Sequence, residues 1–445
     1  PLMGDSPYLS ESAFAGNEAF ISLEVLRDWG WLKQEALDDF LAQGKKTASW
    51  HSLAAYKAKL LWDMSHDPDL TIPWEPFRAF CEKNAYWLDD YALFRAVRDF
   101  FGGRCWTEWP EDIRHHSREA LAQYGKELAG AVSHVKFMQY IFSRQWHDVR
   151  AYAAENGVSI LGDVPMFVAH NSADCWAHQD QFDLDEAGNP SSVAGVPPDY
   201  FSADGQLWGN PLYDYQAMAR DNYQWWTDRF RRMMDLVDEV RVDHFRGFAA
   251  YWAVPAGSET AKSGAWKDGP GLDLFRAVYQ KIGRIRLVAE DLGVITDDVC
   301  TLKDALHLPG MKVIQFHLKD RADGRLAFDT EPDCIAYTGT HDNNTIRGWY
   351  EDDLTPSQQL HVRQMLGLSD EAAPQEIVGA LIAYTYCRRA ETVIIPMQDL
   401  LALPSSGRMN TPGVADGNWH WQLKEGQTTF DIAHWLAKVC RESGR

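Results

Sequence analysis

A chain of 445 residues, 45% hydrophobic and 24% charged, has the make-up of a globular protein and room for one large α/β domain with insertions or for two or three smaller ones. Its formal net charge of −21 argues against nucleic acid or an anionic membrane as partner, because phosphate binding calls for a basic face. No run of about 18 apolar residues occurs, so no spanning helix is expected, and "PLMGDSPYLSES" has neither the basic start nor the apolar core of a signal peptide. The 7 cysteines are scattered with no CxxC pair and read as reduced thiols of a cytosol-like compartment. Tryptophan is abundant, at 19, and several copies sit in turn-rich segments such as "GQLWGNPLY" and "DGNWHWQ". A broad apolar face with one polar N–H suits a partly wet binding surface.

In chain order, "FISLEVL" (20–26) reads as a strand. Residues 27–130 then carry helical patterns ("WGWLKQEALDDFLAQ", "YWLDDYALFRAVRDFFG") with no clear strand between them, and read as a helical insertion beside the main domain. A repeating grammar of helix, short apolar strand and polar cluster follows. The helix "AVSHVKFMQYIFSRQWHDVRAYAAENG", with Gly157 as its C-terminal stop, leads into "VSILGDVPMFV". Later rounds are "NYQWWTDRFRRMMDLV" into "EVRVDHFRGF", "GLDLFRAVYQKIG" into "IRLVAEDLG", and "DDVCTLKDALHLPG" into "MKVIQFHL". "DCIAYTGTHDNN" and "APQEIVGALIAYTYCRRA" into "TVIIPMQDLLAL" close the series.

Such alternation means a mainly parallel sheet covered by helices. Asp163, Asp243, Glu290, His341 with Asp342, and Gln398 with Asp399 fall at the C-terminal ends of different strands. Sites assembled in that way belong to (β/α)8 barrels. A doubly wound sheet would gather its ligand groups at one switch point, usually with a glycine-rich phosphate turn, and no such run exists. The expected fold is therefore an α/β barrel of the TIM type. Residues 1–26 begin it, 27–130 are the insertion, and 131–445 supply the remainder. Nothing before "GDSPY" can form an eighth strand, so the chain as given is expected to lack residues of the first one. Segment 165–220 is rich in Pro, Gly, Asp and Asn, yet carries Phe167, Trp176, Phe182, Tyr200, Phe201, Trp208 and Tyr215. It reads as a long functional loop over the barrel mouth.

Three carboxyls converging from separate strands allow divalent-metal binding or glycoside cleavage. The HxH or HExxH spacing of a metal site is missing, so no metal is expected. Retaining glycoside cleavage needs a nucleophilic carboxylate and a protonated acid about 5–5.5 Å apart, with environments that push their pKa values in opposite directions. Arg241 shares a strand face with Asp243 and would keep it ionised, while the apolar "RLVA" before Glu290 would favour its protonated form. His244 and Arg246 line the same turn, although His244 and His341 also fit as hydrogen-bonded structural histidines. Asp291 and Asp297 are read as helix caps.

At these residues the chain resembles the amylomaltase family of 4-α-glucanotransferases. The likeness rests on "RVDHFRGF", "VAEDLG" and "YTGTHDNNT", and continues through "GDSPYLSESAFAGN", "GVPPDYFSADGQLWGNPLY", "IIPMQDLL" and "RMNTPGVADGNWHWQL". It implies a (β/α)8 barrel that moves 1,4-linked α-glucan segments to the 4-hydroxyl of glucose or another glucan through a covalent glycosyl-enzyme. By motif position, Asp243 would be the nucleophile, Glu290 the general acid/base and Asp342 the transition-state stabiliser. Arg241 and His341 would support the reacting sugar. Asp163, Trp208, Asn210 and Asn343 resemble substrate-contacting positions, and Ser6 and Tyr8 lie in a bordering loop. The implied partners are maltooligosaccharides and glucans derived from starch or glycogen, with no cofactor, in a bacterial cytoplasm or a plant plastid. An α-glucan hydrolase with the same three acids, a non-catalytic glucan-binding protein and a metal-dependent barrel enzyme remain as competitors. The family's longer lead-in before "GDSPY" is replaced here by "PLM".

Overall fold

The computed structural model describes residues 6–46, 50–198, 202–320, 326–414 and 416–445. The chain divides into two compact units, Pro1–Val240 with Tyr251–Arg286, and Arg241–Ala250 with Leu287–Arg445. Twelve short strands are present among the described residues: β1 Leu161–Val164, β2 Ser192–Val196, β3 Gln206–Pro211, β4 Glu239–Val242, β5 Ala250–Pro255, β6 Ala265–Asp268, β7 Leu287–Ala289, β8 Gly310–Val313, β9 Lys319–Asp320, β10 Leu326–Ala327, β11 Cys334–Tyr337 and β12 Thr392–Ile394.

The first unit is mainly helical. Helix Trp74–Phe100 buries Trp87, Leu88, Tyr91, Phe94 and Arg95, the three- and four-residue spacing of one apolar face. It stops at Gly102 and Gly103, both at positive φ, with the Gly103 N–H closing onto the Arg98 carbonyl at 2.8 Å. Helix Ala129–Glu155 ends just before Gly157, which takes the left-handed conformation at φ 69°. Its Gln139 and Gln145 each hold the backbone of the N-terminal segment through two hydrogen bonds, at Gly16 and at Ser22.

Two expectations fail in this unit. "FISLEVL" forms no strand: Glu18–Phe20 is a single 3-10 turn capped by Asn17, and Leu23–Asp28 is an α-helix capped by Ser22. Ser22 Oγ accepts the Val25 N–H at 3.2 Å, and Ile21, Leu23 and Leu26 are buried while Phe20 is 76% exposed. A strand would have put Phe20 and Ser22 on one face. The cap decided a run too short for periodicity to settle. Segment 165–220, read as one irregular loop, contains β2, β3 and the helices Ala173–Ala177 and Tyr215–Arg220. β2 and β3 join β5 and β6 in a four-stranded sheet of order β3-β2-β5-β6, with Val193 opposite Val254. These strands are short and Gly- or Pro-bounded, so turn residues masked them in the sequence. Tyr200 and Phe201 lie outside the described residues.

β4 carries the chain to Val242, and its last two residues belong, like β7, to the second unit. Within the second unit the run continues from strand to strand. The Glu290 N–H donates to the Val242 carbonyl at 3.1 Å, and the Ala289 N–H to the Pro309 carbonyl at 2.9 Å. β8 pairs in parallel with β11, Val313 opposite Tyr337, and β11 with β12, Tyr337 opposite Ile394. The six strands marked by the helix–strand grammar are thus all present. β7 and β11 are buried along their whole length, as parallel strands covered on both faces should be. The core under β11 is built from Ile346, Trp349, Val362, Ile377, Leu381 and Ile382, contributed by the helices that follow.

Candidate active site

β4 runs as "EVRV" with Val240 and Val242 fully buried. His244 then turns the chain sharply in the left-handed conformation, at φ 47°. That turn aims its backbone N–H at Glu290 Oε2, 2.9 Å away. Arg241 is buried, its Nη1 lying 3.0 Å from Asp243 Oδ1 and its Nε 3.4 Å from the Met311 sulfur on β8. An ion pair with one partner this dry is far less screened than one on the surface. Glu290 follows β7 and takes a second backbone donor, the Leu292 N–H, at 2.9 Å. Burial pushes its pKa up, while Arg241 and the two N–H donors pull the other way. The His244 ring is buried beside Arg246 and its pKa falls to about 3, so it stays neutral.

The third acid is held differently. His341 and Asp342 ride on the loop after β11, and the Asp342 side chain is 44% exposed. Asn410 Nδ2 donates to Asp342 Oδ1 at 2.6 Å, and Arg408 Nη2 to the Asp342 carbonyl at 2.6 Å. His341 Nε2 stands 3.5 Å from Asp342 Oδ2, its ring 5.2 Å from that of Trp419. The Asn410 N–H closes onto the His341 carbonyl at 3.0 Å. Asn343, buried in the same loop, uses Oδ1 to accept the Thr340 N–H and hydroxyl, at 2.8 and 2.9 Å. Asp399 receives the Thr338 hydroxyl at 2.6 Å and the Ile346 N–H at 2.8 Å. Sequence reading singled out none of Arg408, Asn410 or Trp419 as site residues. The signal was the turn-rich "RMNTPGVADGNWHW", whose aromatic and amide residues sit where a loop needs no such apolar surface.

Asp243, Glu290 and Asp342 all belong to the second unit and follow the C-terminal ends of strands in one run. Arg241, His341 and Asn343 belong to the same unit, whereas Ser6, Tyr8, Asp163, Trp208 and Asn210 belong to the first. Tyr8 Oη donates to Asp163 Oδ2 at 2.7 Å, and Ser6 Oγ accepts the Tyr8 N–H at 3.3 Å. Trp208 lies on β3 with its indole N–H 3.2 Å from Gln206 Oε1 and its ring 6.4 Å from Phe167. Asn210 is buried and donates to the Val168 carbonyl at 2.9 Å.

Asp291 caps no helix. Its carboxylate accepts the Met311 N–H at 2.7 Å and the Lys303 ammonium at 2.8 Å, tying the end of β7 to β8. Helix Asp297–Leu306 has Thr296 at its N-cap position, without a capping bond from that side chain, and Asp297 in its first turn. No group of three or more His, Cys, Asp or Glu set to hold a metal occurs among the described residues, and no helix among them is long and apolar enough to cross a membrane.

A family model described as 4-alpha-glucanotransferase matches residues 1–428. The 4-alpha-glucanotransferase of Thermus thermophilus is 41% identical over 434 residues, covering 95% of this chain and 85% of that one. That of Streptococcus pneumoniae is 38% identical over 431 residues, covering 96% and 84%. Among solved structures, the amylomaltase from Streptococcus agalactiae in complex with acarbose superposes with a TM-score of 0.91 at 31% identity, covering 99% of this chain and 89% of that one.

Proposed function

The chain belongs to the 4-α-glucanotransferase family, and we propose from that premise that it moves 1,4-linked α-glucan segments by double displacement within a (β/α)8 barrel. Asp243 attacks the anomeric carbon of the donor while Glu290 gives its proton to the departing 4-oxygen. The acceptor's 4-hydroxyl then enters, Glu290 takes its proton, and the sugar leaves Asp243 with its configuration retained. The arrangement around Glu290 carries this reading. Burial favours its neutral form, and Arg241 with the N–H groups of His244 and Leu292 favours its anion. A group that must give and then take one proton needs both states within reach.

Asp342, held by Asn410, hydrogen-bonds the hydroxyls of the distorted sugar, and His341 and Arg241 support the same ring. Tyr8, Asp163, Trp208, Asn210, Ser6 and Asn343 are assigned to glucan binding, directly or by holding the backbone that does. Transfer outruns hydrolysis only if a bound acceptor beats water at about 55 M through orientation and proximity. The donors and acceptors are maltooligosaccharides and the glucans of starch or glycogen. The enzyme acts in a bacterial cytoplasm or a plastid, without a cofactor.

Incubation with maltotriose, with products separated by chain length, tests the reading. A ladder of longer oligosaccharides plus glucose, lost in Asp243→Asn, is the expected result. Glucose and maltose with nothing longer than the donor would replace transfer by hydrolysis.

A further inference from the structure

Asp399 takes no part in the chemistry above, yet its side chain is among the most deeply buried of the described acids, at 1% exposure. It lies on the short helix Met397–Leu400 that follows β12. One oxygen accepts the Thr338 hydroxyl and the other the Ile346 N–H, at 2.6 and 2.8 Å. Thr338 and Ile346 are the two ends of the loop that carries His341 and Asp342, and both are fully buried. A single carboxylate therefore closes that loop at its base.

Burying a carboxyl group this deeply is unfavourable unless it is well bonded. An apolar side chain could fill the same space. It would, however, leave a buried hydroxyl and a buried N–H without their acceptor, and each unmet group is costly. What the carboxylate secures is a loop with no strand ladder of its own, whose acid points outward and is 44% exposed. Asn410 steadies the tip of that loop and Asp399 its root.

We propose that Asp399 is a positioning residue of the glucan transfer reaction, fixing the Thr338–Ile346 loop so that His341 and Asp342 meet the sugar in reacting geometry. This rests on the reading of Asp342 as a sugar-contacting acid. Misplacing a reacting group by about 1 Å costs on the order of 100-fold in rate, and the loss should fall on kcat, because the aligned geometry matters most in the transition state.

The test is maltotriose disproportionation by the full chain and by Asp399→Ala, Asp399→Asn, Thr338→Val and the Asp399→Ala/Thr338→Val pair, with rates normalised to folded protein. Expected are a kcat about 10- to 100-fold lower in Asp399→Ala with KM within about twofold, and a smaller loss in Thr338→Val. The double variant should be no worse than Asp399→Ala alone, because both act through one contact. Asp399→Asn keeps an acceptor for Ile346 and a polar partner for Thr338, and should recover most of the rate. If Asp399→Ala does not fold, Thr338→Val and Asp399→Asn read the same contact from either side. A fall confined to melting temperature and yield, with kcat per folded molecule unchanged, overturns the proposal, as do additive losses in the double variant. A wild-type chain that makes no ladder overturns the reaction itself, and that failure is visible before any substitution is made.

Discussion

The turn after β4 and the loop after β11 both present acids from strands of one run, but they hold them by opposite means. Asp243 and Glu290 are fixed at strand ends: buried Arg241 on β4 pairs with the first, and the backbone of the His244 turn after β4 grips the second. Asp342 stands in a longer loop and depends on residues about 57 to 68 positions further along, Asp399, Arg408 and Asn410. Burial pushes the Glu290 pKa up, whereas the polar straps leave the Asp342 side chain 44% exposed. The proposed mechanism assigns proton transfer to the dry strand end and sugar contact to the wet loop, each built by the forces suited to it.

Substitutions separate the two regions. Asp243→Asn and Glu290→Gln should each lower kcat for maltotriose by about 1,000-fold or more, the scale of losing a nucleophile or a general acid. Both should fold like the parent, by far-ultraviolet circular dichroism; residual rates near the parent's would remove these acids from the chemistry.

Asp399→Asn tests the root of the β11 loop through stability. The Asp399 pKa is raised to about 6 by burial, above the ordinary 3.8. Its raised value means the folded protein holds the proton more tightly than the unfolded chain does. The group's contribution is therefore most favourable below pH 3.8, declines as pH rises to about 6, and is level above that. The span is on the order of 3 kcal/mol. Urea midpoints of parent and Asp399→Asn across pH 4 to 7 should diverge by that slope; parallel curves would deny that Asp399 titrates high.

Asn410→Ala removes the strap at the loop tip. A kcat loss of about 10-fold with little change in KM is expected from initial rates on maltotriose. A loss as large as that of Asp243→Asn would mean that the wet loop is not independent of the dry pair. The finest effect concerns Arg241→Lys, where the fork that faces both Asp243 and Glu290 shrinks to a point charge. Because Arg241 lowers the Glu290 pKa, weakening it should move the alkaline limb of the pH–rate profile upward, by about one unit or less. A limb that moves downward would show that a group other than Glu290 sets it.

The alternation of helix and apolar strand is written in the sequence, because a strand buried on both faces must be a short unbroken apolar run: "EVRV", "RLVA" and "DCIAY" announce β4, β7 and β11. The acid that follows the first two runs is equally visible, and so Asp243 and Glu290 could be singled out from the sequence, whereas Asp342 stands in the loop beyond β11 and was marked by "YTGTHDNNT". Other matters were settled only by tertiary contacts. "FISLEVL" became helix because Ser22 capped it and Gln145 held it, forces that a run of seven residues does not reveal. The β2–β3 strands hid among turn residues until β5 and β6 gave them partners. Asp291, which resembled a helix cap, proved to join two strands. Most of all, sequence names the acids but not what holds them. Local pattern fixes which residues end a strand, whereas the partners of Asp342 come from far along the chain, and only folding brings an amide, a guanidinium and a buried carboxylate to one loop.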